Sequence, residues 1–207
     1  MNRLAFCLVA VLAAAAPPRS AAATETPLTI VITSDGLKHA DPGTRLVARD
    51  EVEAVWAPYG VLVLWENRAG ESPARADLVI RIAITEEPVP GARPTALAAV
   101  FRVNTFFRRF IVVSQPAVRN LVRHTARVVP GSPAFDRLYA RLLGRVIAHE
   151  LGHILLSSTD HSASGLMRQE FDKKDVLYGA RDGLRLEPEQ VAMLRRPNLT
   201  ASAEPTR

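Results

Sequence analysis

The stretch SPAFDRLYARLLGRVIAHELGHILLSSTDH, Ser132 to His161, decides how the rest of the chain is read. Ser132 followed by Pro133 suits the cap and first position of a helix, since the N–H that proline lacks is one a helix start leaves unpaired anyway. From there Phe135, Leu138, Leu142, Val146, Leu151 and Leu155 keep an apolar stripe at helical spacing to about Leu156, which drives one long helix into the core. His149, Glu150 and His153 ride on it. At 3.6 residues per turn, positions four apart are offset by only about 40°, so the two imidazoles project one above the other toward a common point. Glu150 points about 100° away from His149 and stands beside that point rather than on it.

Two imidazoles that converge beside a carboxylate suit a metal ion and a base acting on water. The spacing His149-Glu150-x-x-His153 is the one metallopeptidases use for zinc, with the glutamate accepting the proton. The pattern also arises by chance, from two satisfied core histidines and a surface carboxylate. Its place on an independently predicted buried helix, with a third histidine close behind, outweighs that reading. Catalytic zinc takes three protein ligands and keeps a fourth position open, so a third is owed. His161 qualifies if the polar cluster Ser157-Ser158-Thr159-Asp160 ends the helix and turns the chain back. Asp160 is a rival, as a ligand itself or as a group that orients a histidine. Imidazole suits zinc and the polar turn directly precedes His161, which favours the histidine. A third possibility, Glu170 as ligand in a thermolysin-like site, requires a second helix passing the first, and Ser162 to Gln169, with Ser164 and Gly165 inside it, offers little helix.

The N-terminal half reads as a mixed sheet with an early helix. Strands are expected over Leu28 to Thr33, Val61 to Trp65, Leu78 to Ile84, Ala96 to Val103 and Phe110 to Ser114. The third is nearly continuous in apolar residues and is expected to be central and buried, and the last two are close enough to pair antiparallel. Asp41-Pro42 leads a helix over about Arg45 to Trp56 with Leu46, Val47, Val52 and Val55 inward, stopped by Pro58 and Gly60. Further helices are expected over Ala117 to Val128 and from Glu187-Pro188 to about Arg196.

The active-site stretch resembles the metzincins, whose motif is His-Glu-x-x-His-x-x-Gly-x-x-His followed by a turn bearing a methionine beneath the zinc. Gly165-Leu166-Met167 is similar to that turn, with Met167 as its methionine, and His161-Ser162 is similar to the third ligand and following serine of matrixin-type members. Leu186-Glu187-Pro188-Glu189-Gln190-Val191 resembles the start of the family's terminal helix. The chain departs from the pattern where Leu156 stands for the glycine and Thr159 for the third histidine, so that His161 arrives two residues late. The resemblance implies an α+β, zincin-like fold with a long active-site helix and a methionine turn. It also implies a zinc cofactor on His149, His153 and His161, Glu150 as general base, peptide or protein substrates, and an edge strand, here Ala96 to Val103, that pairs with them. A secreted zinc-holding protein of the same fold without proteolysis is the competing function, and the retained Glu150 speaks against it.

Composition bounds the rest. Arg3, the apolar run Leu4 to Ala16 and Ala21-Ala22-Ala23 read as a cleavable signal peptide over residues 1–23, which implies a secreted or periplasmic protein. The run is broken by Pro17-Pro18 and falls short of the roughly 20 residues that span a bilayer, so no stable membrane insertion is expected. The zincin-like domain then occupies residues 24–199 and a tail 200–207. The single cysteine, Cys7, leaves with the leader, which excludes disulfides, a thiol nucleophile and cysteine-held zinc. Arg3 and Arg19 leave too, reducing a net charge of +5 to a level that calls for no nucleic-acid partner, and a monomer is expected. His39, His124 and Tyr178 read as ordinary residues.

Overall fold

A computed structural model of the chain describes residues 27–34, 36–37, 40–66, 76–103 and 106–195. The leader read over residues 1–23, the tail at 200–207 and His39 lie outside the described residues. Five strands, β1 (Leu28–Ser34), β2 (Val61–Trp65), β3 (Leu78–Thr85), β4 (Ala98–Val103) and β5 (Phe106–Ser114), make one sheet in the order β2-β1-β3-β5-β4. β1 runs parallel to β2 and β3, and β3 parallel to β5, while β4 pairs antiparallel with β5 and forms an edge. Parallel neighbours need a crossover, and α1 (Pro42–Trp56) supplies the one between β1 and β2.

The long helix α3 (Pro133–Leu155) is capped by Ser132, whose hydroxyl accepts the Phe135 N–H, and is buried without interruption from Leu142 to Leu155. It packs on α1 and the inward row of the sheet, where Ile30, Ile32, Val63, Ile80, Ile82 and Ile111 are buried. The contact between the two helices is closest at Gly144, where an added Cβ would stand 2.5 Å from the Ala48 carbonyl. A buried charge network fixes the same contact. Arg145, wholly enclosed, donates from Nε to Glu51 Oε1 at 2.7 Å, and Arg181 donates to Glu51 Oε2 at 2.7 Å. Arg145 also donates to the Asp175 and Ala180 carbonyls, which ties the segment after Met167 to α1 and α3. Breaking such a network by removing one partner leaves an unpaired buried charge, so its members are held as a set.

The remaining helices are α2 (Gln115–Ala126), α4 (Lys173–Leu177) and α5 (Pro188–Leu194). The architecture is the expected α+β one, a mixed five-stranded sheet with an early helix and a long helix carrying His149 and His153, and several local expectations are corrected. α1 begins at Pro42, because Asp41 takes the Gly43 and Thr44 N–H groups at 2.8 and 2.9 Å. Its phase also differs: Leu46 is 54% exposed, and Ala48, the residue small enough for the crossing at Gly144, is buried instead. β3 is central as expected but covered on one face only, since Val79 is 49% exposed while Leu78, Ile80 and Ile82 point inward. α4 was not expected at all. It is held by a capping box in which Asp172 accepts from Lys174 and Asp175, and Asp175 accepts the Asp172 N–H. Among the described residues, no helix is long and apolar enough to cross a membrane.

Candidate metal centre and cleft

His149 and His153 lie one turn apart on the buried part of α3, with their Nε2 atoms 3.1 Å from each other. Each ring is aimed by a carbonyl on its other nitrogen. His149 Nδ1 donates to Leu166 O at 2.8 Å and His153 Nδ1 donates to Ser158 O at 2.8 Å. A carbonyl only accepts, so Nδ1 carries the proton and Nε2 keeps its lone pair for the cleft, as a metal-ligating imidazole requires. Burial pushes the His149 pKa down to about 4 and lowers that of His153, so both rings are neutral near pH 7.

The end of α3 explains how His161 joins them. The Ser157 N–H bonds Ile154 O and the Ser158 N–H bonds His153 O, each at 3.2 Å, which is the double-bonded close of a Schellman motif. The residue such a close needs in the left-handed region is Ser157, with φ 49°. The sharp turn therefore falls on Ser157, one residue after Leu156. The chain then doubles back and sets the His161 ring 5.4 Å from that of His149 and 5.0 Å from that of His153, centre to centre. One nitrogen of each of the three imidazoles lies within 4.8 Å of the others. Zinc–nitrogen bonds of about 2.0–2.1 Å in a tetrahedral shell set ligand atoms about 3.3 Å apart; the helical pair at 3.1 Å meets that spacing, and three imidazoles are a donor set whose chemistry suits zinc.

Neither rival carboxylate belongs to that group among the described residues. Asp160 is engaged within the turn, accepting the Ser158 hydroxyl at 3.1 Å, and Glu170 is exposed on the cleft wall. Tyr178 is 60% exposed and is not part of the cleft lining.

Beneath the histidines the chain makes a tight loop. The Ser162 N–H bonds Met167 O at 2.9 Å, and the Leu166 N–H bonds Arg185 O at 3.0 Å. Leu166 and Met167 are buried, and a Cβ on Gly152 would collide with Met167 Sδ. Glycine between the two helical ligands is thus the space the methionine occupies. Gly165 is demanded twice over, by its φ of +77° and because a Cβ there would strike the Arg185 carbonyl. Gly165→Ala is expected to cost at least about 2–3 kcal/mol, combining left-handed strain with that collision. Denaturant unfolding of the metal-free protein measures it, and an unchanged midpoint would mean that the turn repacks freely.

Glu150 is 7% exposed and lies under β4, close to the Val100 backbone. Burial raises its pKa to about 7, against the weaker opposing pull of the Val100 N–H. The three histidines and Glu150 open into one cleft of about 770 Å³. β4 forms one wall, α2 another through Asn120, Leu121 and His124, and Val146, Phe107 and Phe171 make its apolar depth. His124, an ordinary residue by sequence, thus stands on the cleft wall. The orienting groups that sequence reading missed, Leu166 O and Ser158 O, are both backbone and carry no residue signature.

No protein-family model matches the chain, and no curated protein matches it. Among solved structures the chain is similar to the archaemetzincin (amzA) of Methanopyrus kandleri, at 16% identity and a TM-score of 0.47 over 83% of this chain and 96% of that one.

Proposed function

We propose that this chain is a zinc-dependent peptidase with Glu150 as its general base, exported on the strength of its N-terminal leader to the periplasm or beyond the cell. The observation that carries the reading is the convergence of three imidazole nitrogens, two of them fixed as neutral donors, in a cleft that also holds a buried carboxylate. His149, His153 and His161 would hold the zinc ion, which when bound would supply Lewis-acid chemistry toward water and a carbonyl. The chain's own residues do the rest. Glu150 takes a proton from the attacking water as its oxygen bonds the scissile carbonyl carbon, then delivers that proton to the amine nitrogen as the C–N bond breaks. Among the described residues β4 has a neighbour on one side only, so its free edge suits an extended peptide added as a further strand. Val146, Phe107 and Phe171 give the cleft an apolar recess beside Glu150, which favours substrates with an apolar side chain next to the scissile bond.

The test is digestion of a peptide library by the protein with its leader removed, with and without a chelator. Cleavage that the chelator abolishes and added zinc restores is expected, along with a fall in the unfolding midpoint on metal removal, since a ligand that binds only the folded state stabilises it. Cleavage that survives complete removal of metal would refute the assignment.

A further inference from the structure

The turn after α1, Ala57–Tyr59, places an aromatic hydroxyl behind the active-site helix. Trp56, wholly buried, donates from Nε1 to the carbonyl of Ala148, the residue before His149, at 3.2 Å. Its ring also approaches the Cβ position of Gly152 at 3.7 Å, so Trp56 is registered against the turn of α3 that carries both helical histidines. Tyr59 packs edge-on against Trp56, with ring centres 6.1 Å apart, and its hydroxyl accepts the Leu186 N–H at 2.7 Å. The next carbonyl back along the chain, Arg185 O, takes the Leu166 N–H, and Leu166 O takes His149 Nδ1–H. The contacts close a ring: α3, Trp56, Tyr59, the 185–186 segment, Leu166, and α3 again at His149.

We infer that Tyr59 is a positioning residue for His149, acting through Leu186, Arg185 and Leu166. The inference rests on the zinc-peptidase reading for its functional meaning. Without the hydroxyl, the partly buried Leu186 N–H loses its acceptor, and the carbonyl of Arg185 that braces the methionine turn is released on one side. Leu166 O then aims the imidazole less sharply, and a ligand less well aimed binds metal less well. The aromatic packing against Trp56 survives in phenylalanine, so Tyr59→Phe separates the hydrogen bond from the fold.

The experiment compares the full chain with Tyr59→Phe, and with Tyr178→Phe as the control on an exposed tyrosine. Zinc affinity is measured by competition with a chromophoric chelator, unfolding is measured on the metal-free proteins, and the His149 Nδ1–H resonance is followed by ¹⁵N-histidine NMR. Zinc binding about tenfold weaker in Tyr59→Phe, the lower end of the loss for groups that orient a ligand, with the Nδ1–H signal broadened or lost, is the expected result. Tyr178→Phe is expected to match the parent. A lower unfolding midpoint with parental zinc affinity and an unchanged signal would make Tyr59 merely structural and overturn the inference. If the parent binds no zinc, the peptidase reading falls by itself, and the resonance alone decides: its loss in Tyr59→Phe upholds the positioning role, and its persistence overturns it.

Discussion

Glu150→Gln is expected to keep its zinc and its fold while losing hydrolysis by a factor on the order of a thousand or more, within the range general base catalysis contributes or beyond it. The amide has nearly the shape of the carboxylate it replaces in that buried position, so the wall under β4 is preserved. As a neutral group it is also easier to bury than the carboxylate it replaces. What it cannot do is take a proton from water and hand it to a departing amine. Metal content by atomic absorption, the unfolding midpoint and the rate on the best peptide of the library together test this. Parental rates in a zinc-loaded Glu150→Gln protein would remove Glu150 from the mechanism and make it a wall residue. A protein that has lost its zinc as well would show that Glu150 holds the site together rather than working in it.

The features legible in the sequence share one property: each is a choice of side chain that local geometry alone interprets. Ser132-Pro133 and the stripe from Phe135 to Leu155 specify α3 because capping and 3.6-residue spacing are local rules, and the residues of that stripe pack as they imply. His149 and His153 converge for the same reason. The features that escaped are set by partners far along the chain. Leu46 looks inward by hydropathy, yet the crossing at Gly144 selects Ala48, because the helices meet too closely there for a large side chain. Val79 completes an apolar run, but the helices cover only one face of the sheet, so it points to solvent. α4 carries an Asp172-Asp175 capping box in the sequence, yet five residues are too few to show a period. Tyr59 gave no signal because its contact, Leu186, lies 127 residues away.

The turn that delivers His161 stands between these cases, and it yields the sharpest test of the site. Its polar composition was readable, but the left-handed residue was not, because serine stands where glycine normally announces one. The structure brings His161 to the two helical imidazoles and leaves Asp160 and Glu170 out of the group. His161→Ala is therefore expected to weaken zinc binding by more than about 100-fold, above the range seen when only a ligand's supporting partner is lost. Two helical histidines alone leave half of a tetrahedral shell to water. Asp160→Ala removes the acceptor of the Ser158 hydroxyl, loosening the turn whose Ser158 carbonyl aims His153, and is expected to cost about tenfold. Glu170→Ala, which trims only the cleft wall, is expected to leave zinc affinity unchanged. Competition titrations on the three variants read out the order directly. Zinc retained in His161→Ala and lost in Glu170→Ala would move the third ligand to the carboxylate, with a thermolysin-like site in place of the one described.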